Sequence, residues 1–287
     1  MLTLRAPAKL NLTLEVLARR EDGYHGVRSV MVPLEIADEL TIEANAAFSF
    51  ACDRPELEDE RNLAVAALRA LGELPAVRLE LRKRIPVQAG LGGGSSDAAA
   101  LLLAAMSGAF GSQPVRDWLS IARTLGSDVP FFLARTAALV EGTGERVTPI
   151  GALPPWYALV VKPPAAISTA AAYEELDRTP RPQRPRNSSV SIALLEALQR
   201  GDFERVESLA QNDFHDVITA TAPEVASAVK ALRAAGAKHA QLTGSGSCVF
   251  ALARRREDVE AVCERLELPA TYQSFVSAFA STPDWMP

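Results

Sequence analysis

Residues 8–16 alternate cleanly, with Leu10, Leu12, Leu14 and Val16 on one side and Lys9, Asn11, Thr13 and Glu15 on the other. A period of two predicts a strand with one face on a core, here half-buried, with Lys9 and Asn11 together on the polar face. Two further strand-like runs follow around Val30–Leu34 and Glu39–Ile42. From Asn62 the apolar residues Leu63, Ala66, Ala67, Ala70 and Leu71 fall at helical spacing, and Gly72 stands just past the end. Val77, Leu79 and Leu81 then alternate with Arg78, Glu80 and Arg82 as a strand. Helices are predicted from Ala98 to Met106 and from Val115 to Leu125, and Thr143-Gly144 turns a hairpin between 137–141 and 146–150.

Gly151 to Pro155 reads as a domain junction, dividing the chain into units 1–152 and 153–287. Beyond it come a strand at 158–162 and helices around 173–176, 192–198, 205–210 and 225–235. Strands at 239–242 and 249–252, a helix at 257–266 and a strand at 271–278 complete the chain. This β-α…α-β-β-α-β order is that of a ferredoxin-like split βαβ unit. The Pro- and Arg-rich stretch Arg178–Ser189 reads as a mobile, solubilising loop.

Composition narrows the partners. The chain has 287 residues, 48% hydrophobic and 23% charged, with a net charge of −5, ordinary for a globular protein and unsuited to general binding of nucleic acid or anionic membranes. Any phosphate binding must be local. Cys52, Cys248 and Cys263 are odd in number and form no metal-ligand spacing, which suits a reducing cytoplasm. No secretory leader or membrane-spanning run is visible, so the expectation is a cytoplasmic protein acting on a small molecule. A monomer or weak homodimer is expected.

The most informative stretch is Pro86-Val87-Gln88-Ala89-Gly90-Leu91-Gly92-Gly93-Gly94-Ser95-Ser96, with Asp97 next. It lies between a predicted strand and a predicted helix, with Ser95, Ser96 and Asp97 expected as N-cap residues. A glycine-rich loop opening a helix is an anion site, most often for phosphate. It is not a Walker-type loop, because no Lys follows the glycines, nor a dinucleotide fingerprint, because Ser95 takes the place of the last glycine.

Other candidates are ambiguous one at a time. Lys9 and Asn11 fit a solvated strand face as well as a site. Tyr24-His25, after the turn at Gly23, either stacks on a planar ligand ring or covers a hairpin end. Asp128 in Gly126-Ser127-Asp128-Val129-Pro130-Phe131-Phe132 is either an N-cap or a base in an apolar turn. Thr243-Gly244-Ser245-Gly246-Ser247-Cys248 is a second glycine-rich turn, structural or ligand-facing. Together, a phosphate loop, a lysine and an aspartate point to phosphoryl transfer from a nucleotide. Ser96 is then a candidate oxygen ligand for Mg²⁺ or phosphate. Asp128 would accept the proton of the attacking hydroxyl, with Lys9 holding it ionised or binding the transferring group.

At this point the motifs resemble a known family. Pro86–Ser96 is similar to the second motif of the GHMP kinase superfamily, and Leu242–Ser247 to its third. The opening Ala6–Leu17, with Arg20–His25 and Gly126–Phe132, resembles the branch that phosphorylates 4-diphosphocytidyl-2-C-methyl-D-erythritol in the non-mevalonate isoprenoid pathway. The resemblance implies an α+β, two-domain GHMP kinase fold, with a ribosomal protein S5 domain 2-like N-terminal domain and a ferredoxin-like C-terminal domain. It implies ATP and Mg²⁺ as cofactors and transfer to the 2-hydroxyl of the methylerythritol unit. It assigns Lys9 and Asp128 as the catalytic pair, Pro86–Ser96 as the ATP loop, and Ser96 to the metal. Tyr24 and His25 would recognise cytidine, Asn11 would lie near the substrate phosphates or sugar, and Thr169 and Tyr173 would surround the cytosine. The base would be clamped between Tyr24 and Tyr173. Gln88 stands where a small residue is expected. The rival readings are another superfamily kinase, for homoserine, mevalonate or a sugar, and a nucleotide-binding regulator without turnover.

Overall fold

The long strand His25–Ala44 (β3) organises the first half of the computed structural model, which describes residues 1–21, 23–111, 116–180 and 189–280. Leu2–Asn11 (β1) and Thr13–Arg19 (β2) run antiparallel along one edge of β3, from Leu2↔Ile42 to Glu15↔Arg28 and on to Arg19↔His25. They form nearly one strand, interrupted at Leu12, whose amide still bonds Val30 O at 2.8 Å. The two runs expected within 30–42 are therefore one strand. Isolated polar residues such as Asp38 interrupt the apolar pattern without ending the ladder.

The other edge of β3 carries Val77–Arg82 (β5), with Ser49–Cys52 (β4) beyond it, and the hairpin Ala137–Gly142 (β6) and Arg146–Gly151 (β7). Helices Leu63–Arg69 (α1), Gly93–Met106 (α2), Trp118–Leu125 (α3) and Val129–Leu133 (α4) pack with this sheet. Leu4, Leu40, Leu79, Leu81, Leu101 and Phe131 are among the fully buried side chains of that core. The side chain of Asp117 caps α3 at Ser120 N, 3.0 Å away, and Val115 lies outside the described residues.

The second sheet has the order β10-β11-β8-β12, all antiparallel, from Tyr157–Lys162 (β8), Gln241–Leu242 (β10), Val249–Ala253 (β11) and Gln273–Ala278 (β12). The first of these strands sits between the third and fourth, as the split βαβ layout requires. Its helices are Thr169–Arg178 (α5), Val190–Gln199 (α6), Phe203–Leu209 (α7), His215–Thr221 (α8), Pro223–Ala234 (α9) and Arg256–Glu264 (α10). The strand expected from His239 is shorter, since His239 is exposed and only 241–242 pair with β11. Of the Arg178–Ser189 stretch, Arg178 ends α5, while 181–188 lie outside the described residues.

The halves share one core. Leu10, Val32 and Leu34 pack in one cluster with Val160, Leu194 and Phe250. The second half also lends the first sheet a strand, Gln211–Asn212 (β9), parallel to β2 at Thr13↔Gln211. Among the described residues, no helix is long and apolar enough to cross a membrane.

The expected half-buried strand at 8–16 is buried on both faces: Lys9, Asn11, Thr13 and Glu15 are no more than 2% exposed. Their side meets the second half of the chain instead of water. Thr13 Oγ1 lies 2.8 Å from Ser191 Oγ, and Glu15 Oε2 accepts from Ser189 Oγ (2.7 Å) and Ser191 N (3.1 Å) at the start of α6. Buried polar groups need such partners, because each lost hydrogen bond costs about 1–3 kcal/mol of desolvation.

Candidate active site

The centre of the site is the buried ammonium of Lys9. It donates to Asn11 Oδ1 at 2.6 Å and lies 3.3 Å from Asp128 Oδ2. Lys9 and Asn11 are two residues apart on a strand, so their side chains share a face. Asn11 is held in turn: its Nδ2 donates to Ser29 Oγ (2.8 Å), and its amide donates to Thr243 Oγ1 (3.0 Å). Asp128 stands at the N-cap of α4 but makes no side-chain capping bond. Its carboxylate turns to Lys9 and is 29% exposed, against 3% for the Lys9 side chain. One buried cation thus faces one accessible carboxylate.

The glycine loop is fastened to this pair by its backbone. Lys9 N donates to Leu91 O at 2.9 Å, and Cys248 N donates to Ala89 O at 3.1 Å. Gly90 has φ +74°, and a Cβ there would come within 2.2 Å of Thr243 O. Gly92 also has φ +74°; a Cβ there would meet Phe132 at 2.9 Å and Lys9 Cγ at 3.1 Å. These two positions demand glycine for both conformation and space. Gln88, where a small residue was expected, takes φ +50° at an exposed bend, so its side chain is accommodated. Pro86 is half-buried and Val87 exposed, on the outer side of the loop.

Helix α2 begins at Gly93 with Gly92 as its N-cap, so Ser95, Ser96 and Asp97 are not the caps predicted from sequence. The left-handed turn at Gly92 starts the helix at Gly93, ahead of the predicted Ala98. The first amides, at Gly93, Gly94 and Ser95, belong to a helix start whose N–H groups have no intrahelical acceptor. Ser96 Oγ in this first turn is buried and has no hydrogen-bond partner. Asp97 neither caps the helix nor faces an anion: its carboxylate is buried and 2.7 Å from Lys83 Nζ.

The residues expected to recognise a nucleoside are His25, Tyr173, Tyr24 and Thr169. His25 stacks on Tyr173, with centroids 5.4 Å apart and an interplanar angle of 11°. Its Nδ1 lies 3.0 Å from Leu17 O and its Nε2 3.0 Å from Asp177 Oδ1 of α5. Tyr173 is braced edge-on by Phe214 at 4.9 Å. Burial, helped by the negative charge of Asp128, pushes the Tyr173 hydroxyl up to about 12, so this ring stays neutral at working pH. Tyr24 is 69% exposed. One face of Tyr173 is taken by His25. Thr169 Oγ1 lies 3.0 Å from Ser245 Oγ, which joins α5 to the second glycine turn.

Lys9, Asn11, Asp128 and the loop from Ala89 to Gly92 are thus brought together, while His25, Tyr173 and Thr169 gather on α5 and the hairpin end beside it. Thr243, Ser29, Asn212 and Asp177 were not singled out as site residues from sequence. Asn212 Nδ2 donates to Leu242 O (2.9 Å) and Gly244 O (2.8 Å), pinning the second glycine turn. Thr243 was legible only as part of that turn, and no local pattern marks the others.

The chain is similar to known proteins over most of its length. The GHMP kinases N terminal domain family matches residues 62–135, and the GHMP kinases C terminal family matches residues 194–269. A 4-diphosphocytidyl-2-C-methyl-D-erythritol kinase of Deinococcus radiodurans is 40% identical over 268 residues, covering 91% of this chain and 87% of that protein. A crystal structure of a 4-(cytidine 5'-diphospho)-2C-methyl-D-erythritol kinase superposes with a TM-score of 0.79 at 36% identity, covering 97% of this chain and all (100%) of that one. A homoserine kinase structure from Cytophaga hutchinsonii has a TM-score of 0.68 at 18% identity, over 97% of this chain and 94% of its own, a likeness of fold alone.

Two substitutions test the geometry. Asn11→Ala leaves Lys9 short of a partner and Ser29 without its donor, and is expected to cost about 1–3 kcal/mol in urea denaturation. Gly90→Ala combines a strained φ with contact on Thr243 O, so its denaturation midpoint should fall by the equivalent of more than about 1 kcal/mol. An unchanged midpoint in either case would show that the contact does not hold the site.

Proposed function

The chain belongs to the 4-diphosphocytidyl-2-C-methyl-D-erythritol kinase family of the GHMP kinases, and from that premise we propose that it transfers the γ-phosphoryl group of ATP to the 2-hydroxyl of that compound. The product would feed the non-mevalonate route to isoprenoid precursors. The observation that carries the reading is the Lys9–Asp128 pair at 3.3 Å, tied through the Lys9 amide to the glycine loop at Leu91.

In this mechanism the protein mainly positions groups and neutralises charge. The first amides of α2 and the loop backbone receive the triphosphate, aided by the positive end of the helix dipole. Asp128 accepts the hydrogen bond, and then the proton, of the attacking hydroxyl. Lys9 sits within reach of the same carboxylate, holds it in place, and offsets negative charge growing on the transferring group. Asn11 orients Lys9 through the 2.6 Å bond, a role that goes with its place near the substrate sugar or phosphates.

A divalent cation fits the donor set. Ser96 Oγ is a hard oxygen, buried in the first helical turn and without a protein partner. Mg²⁺ takes one or two protein oxygens and otherwise phosphate and water, so Ser96 would hold it against the triphosphate. Once bound, it would supply charge neutralisation at the β- and γ-phosphates.

Acceptor choice falls to the aromatic end. His25 and Tyr173 offer a stacked aromatic surface for a cytosine, with Tyr24 exposed nearby in sequence and Thr169 on the same helix as Tyr173. Residues 1–152 and 153–287 act as the two domains of this reading, meeting at the cleft that both line. Asp128 argues against a regulator without turnover, since a sensor needs no proton acceptor.

Coupled ADP release with the diphosphocytidyl substrate, run beside homoserine and mevalonate, tests the assignment; turnover of either alternative in preference would overturn it. Asp128→Asn is expected to lower kcat about 10²–10⁴-fold while ATP still binds, measured by single turnover and calorimetry. Tyr173→Ala should raise the KM for the cytidine substrate about tenfold and leave that for ATP unchanged, in keeping with about 1–3 kcal/mol per stacked base. Equal shifts in both KM values would remove Tyr173 from the acceptor site.

A further inference from the structure

One buried charge cluster is not used by this chemistry, and it lies directly against the glycine loop. Lys83, just after β5, has a side chain only 5% exposed. Its ammonium meets Asp38 Oδ2 of β3 and, at 2.7 Å, Asp97 Oδ2 of α2. The two carboxylate side chains are 0% and 2% exposed.

The second oxygen of Asp38 shows what the cluster holds. Asp38 Oδ1 accepts the amides of Arg84 (2.6 Å) and Ile85 (2.8 Å), the last residues before Pro86. The Lys83 amide is itself fixed by Asp53 Oδ1 at 2.9 Å. Asp97, on the other side of the loop, lies one turn into α2. A single ammonium therefore joins the strand end that enters the loop to the helix that leaves it. Gly93, the first helical residue, rests on the cluster: a Cβ there would lie 3.2 Å from Lys83 Nζ and 3.3 Å from Asp38 Oδ2.

Stability alone does not explain this arrangement. Buried ion clusters are often replaceable by apolar residues without loss, and two carboxylates on one ammonium leave surplus negative charge near a loop read as a phosphate site. What apolar side chains cannot supply is directional contact with Arg84 N, Ile85 N and α2 at once. We propose that Asp38, Lys83 and Asp97 are positioning residues. They clamp the two ends of the loop so that its backbone and the first amides of α2 converge on the ATP phosphates. The inference rests on the reading of that loop as the ATP site.

The test separates nucleotide binding from acceptor binding. Asp97→Ala cuts the tie to α2 but leaves the neutral Lys83–Asp38 pair, so the fold should persist. It is expected to raise the KM and the calorimetric Kd for ATP about tenfold, because small misplacements of binding groups carry large penalties. The KM for the diphosphocytidyl substrate should stay within about twofold. Asp97→Asn keeps an oxygen for Lys83 and should restore the ATP values to within about threefold of wild type. A folded Asp97→Ala enzyme with unchanged ATP affinity would overturn the clamp, as would parallel increases in both KM values. Should Asp97→Ala not fold, Asp97→Ser carries the same expectations. Wild-type enzyme that binds no ATP would instead overturn the nucleotide reading of the loop.

Discussion

The structure depends on burying a row of polar side chains at the seam between its two halves. Lys9, Asn11, Thr13 and Glu15 point the same way from β1 and β2, and none is more than 2% exposed. Such a row is tolerable only when every member finds a partner. Asn11 finds Thr243, Thr13 finds Ser191, and Glu15 finds Ser189 and the start of α6. Lys9 finds Asp128 within its own half. Docking of the second sheet and arming of the site are thus one event. A chain with its halves apart would leave Asn11, Thr13 and Glu15 facing water and Lys9 less firmly aimed.

The loop obeys the same logic from the backbone side. Its carbonyls at Ala89 and Leu91 are taken by Cys248 N from the second glycine turn and by Lys9 N from β1. Asn212 holds that turn from behind. The loop is therefore fixed between the halves, with Val87 and Gln88 exposed on its outer side. This makes the close approach at Gly90 intelligible, since the room a side chain would need belongs to Thr243 O, 2.2 Å from the would-be Cβ. A loop held this firmly presents amides in a set geometry, which is how an anion site avoids reorganisation on binding.

Much of this was legible in the sequence, and the failures are instructive. The period of two over 8–16 correctly gave strand, and the glycine spacing correctly excluded the two commonest nucleotide loops. The ferredoxin-like order of the second half followed from element succession and agrees with the strand order β10-β11-β8-β12. Periodicity could not say that the polar face of β1 is buried, because what covers it lies about 180–230 residues away in the chain. The start of α2 was misplaced because serine and aspartate are the usual caps, whereas a glycine in a left-handed turn began the helix earlier. Asp38 and Lys83 carry no local signal, because a single charge within or just after a strand reads as a solvated residue. The stacking of Tyr173 on His25 depends on where α5 lies, which no local pattern encodes.

Two aspartates show most plainly why local sequence stops short of function. Asp97 follows glycines and serines in Gly94-Ser95-Ser96-Asp97, and Asp128 follows them in Gly126-Ser127-Asp128. Each begins or nearly begins a helix, and each pairs with a lysine buried in the first half. Their environments separate them. Asp97 is sealed in, and burial outweighs the pull of Lys83, with Asp38 adding repulsion, so its carboxyl is pushed up to about 7. Asp128 keeps 29% of its side chain exposed. A group that must meet a substrate hydroxyl needs that opening, and a group that must hold two elements in register needs the seal. The same residue type is thus left open to solvent in one place and sealed between two elements in the other, according to whether its lysine lies behind it or encloses it.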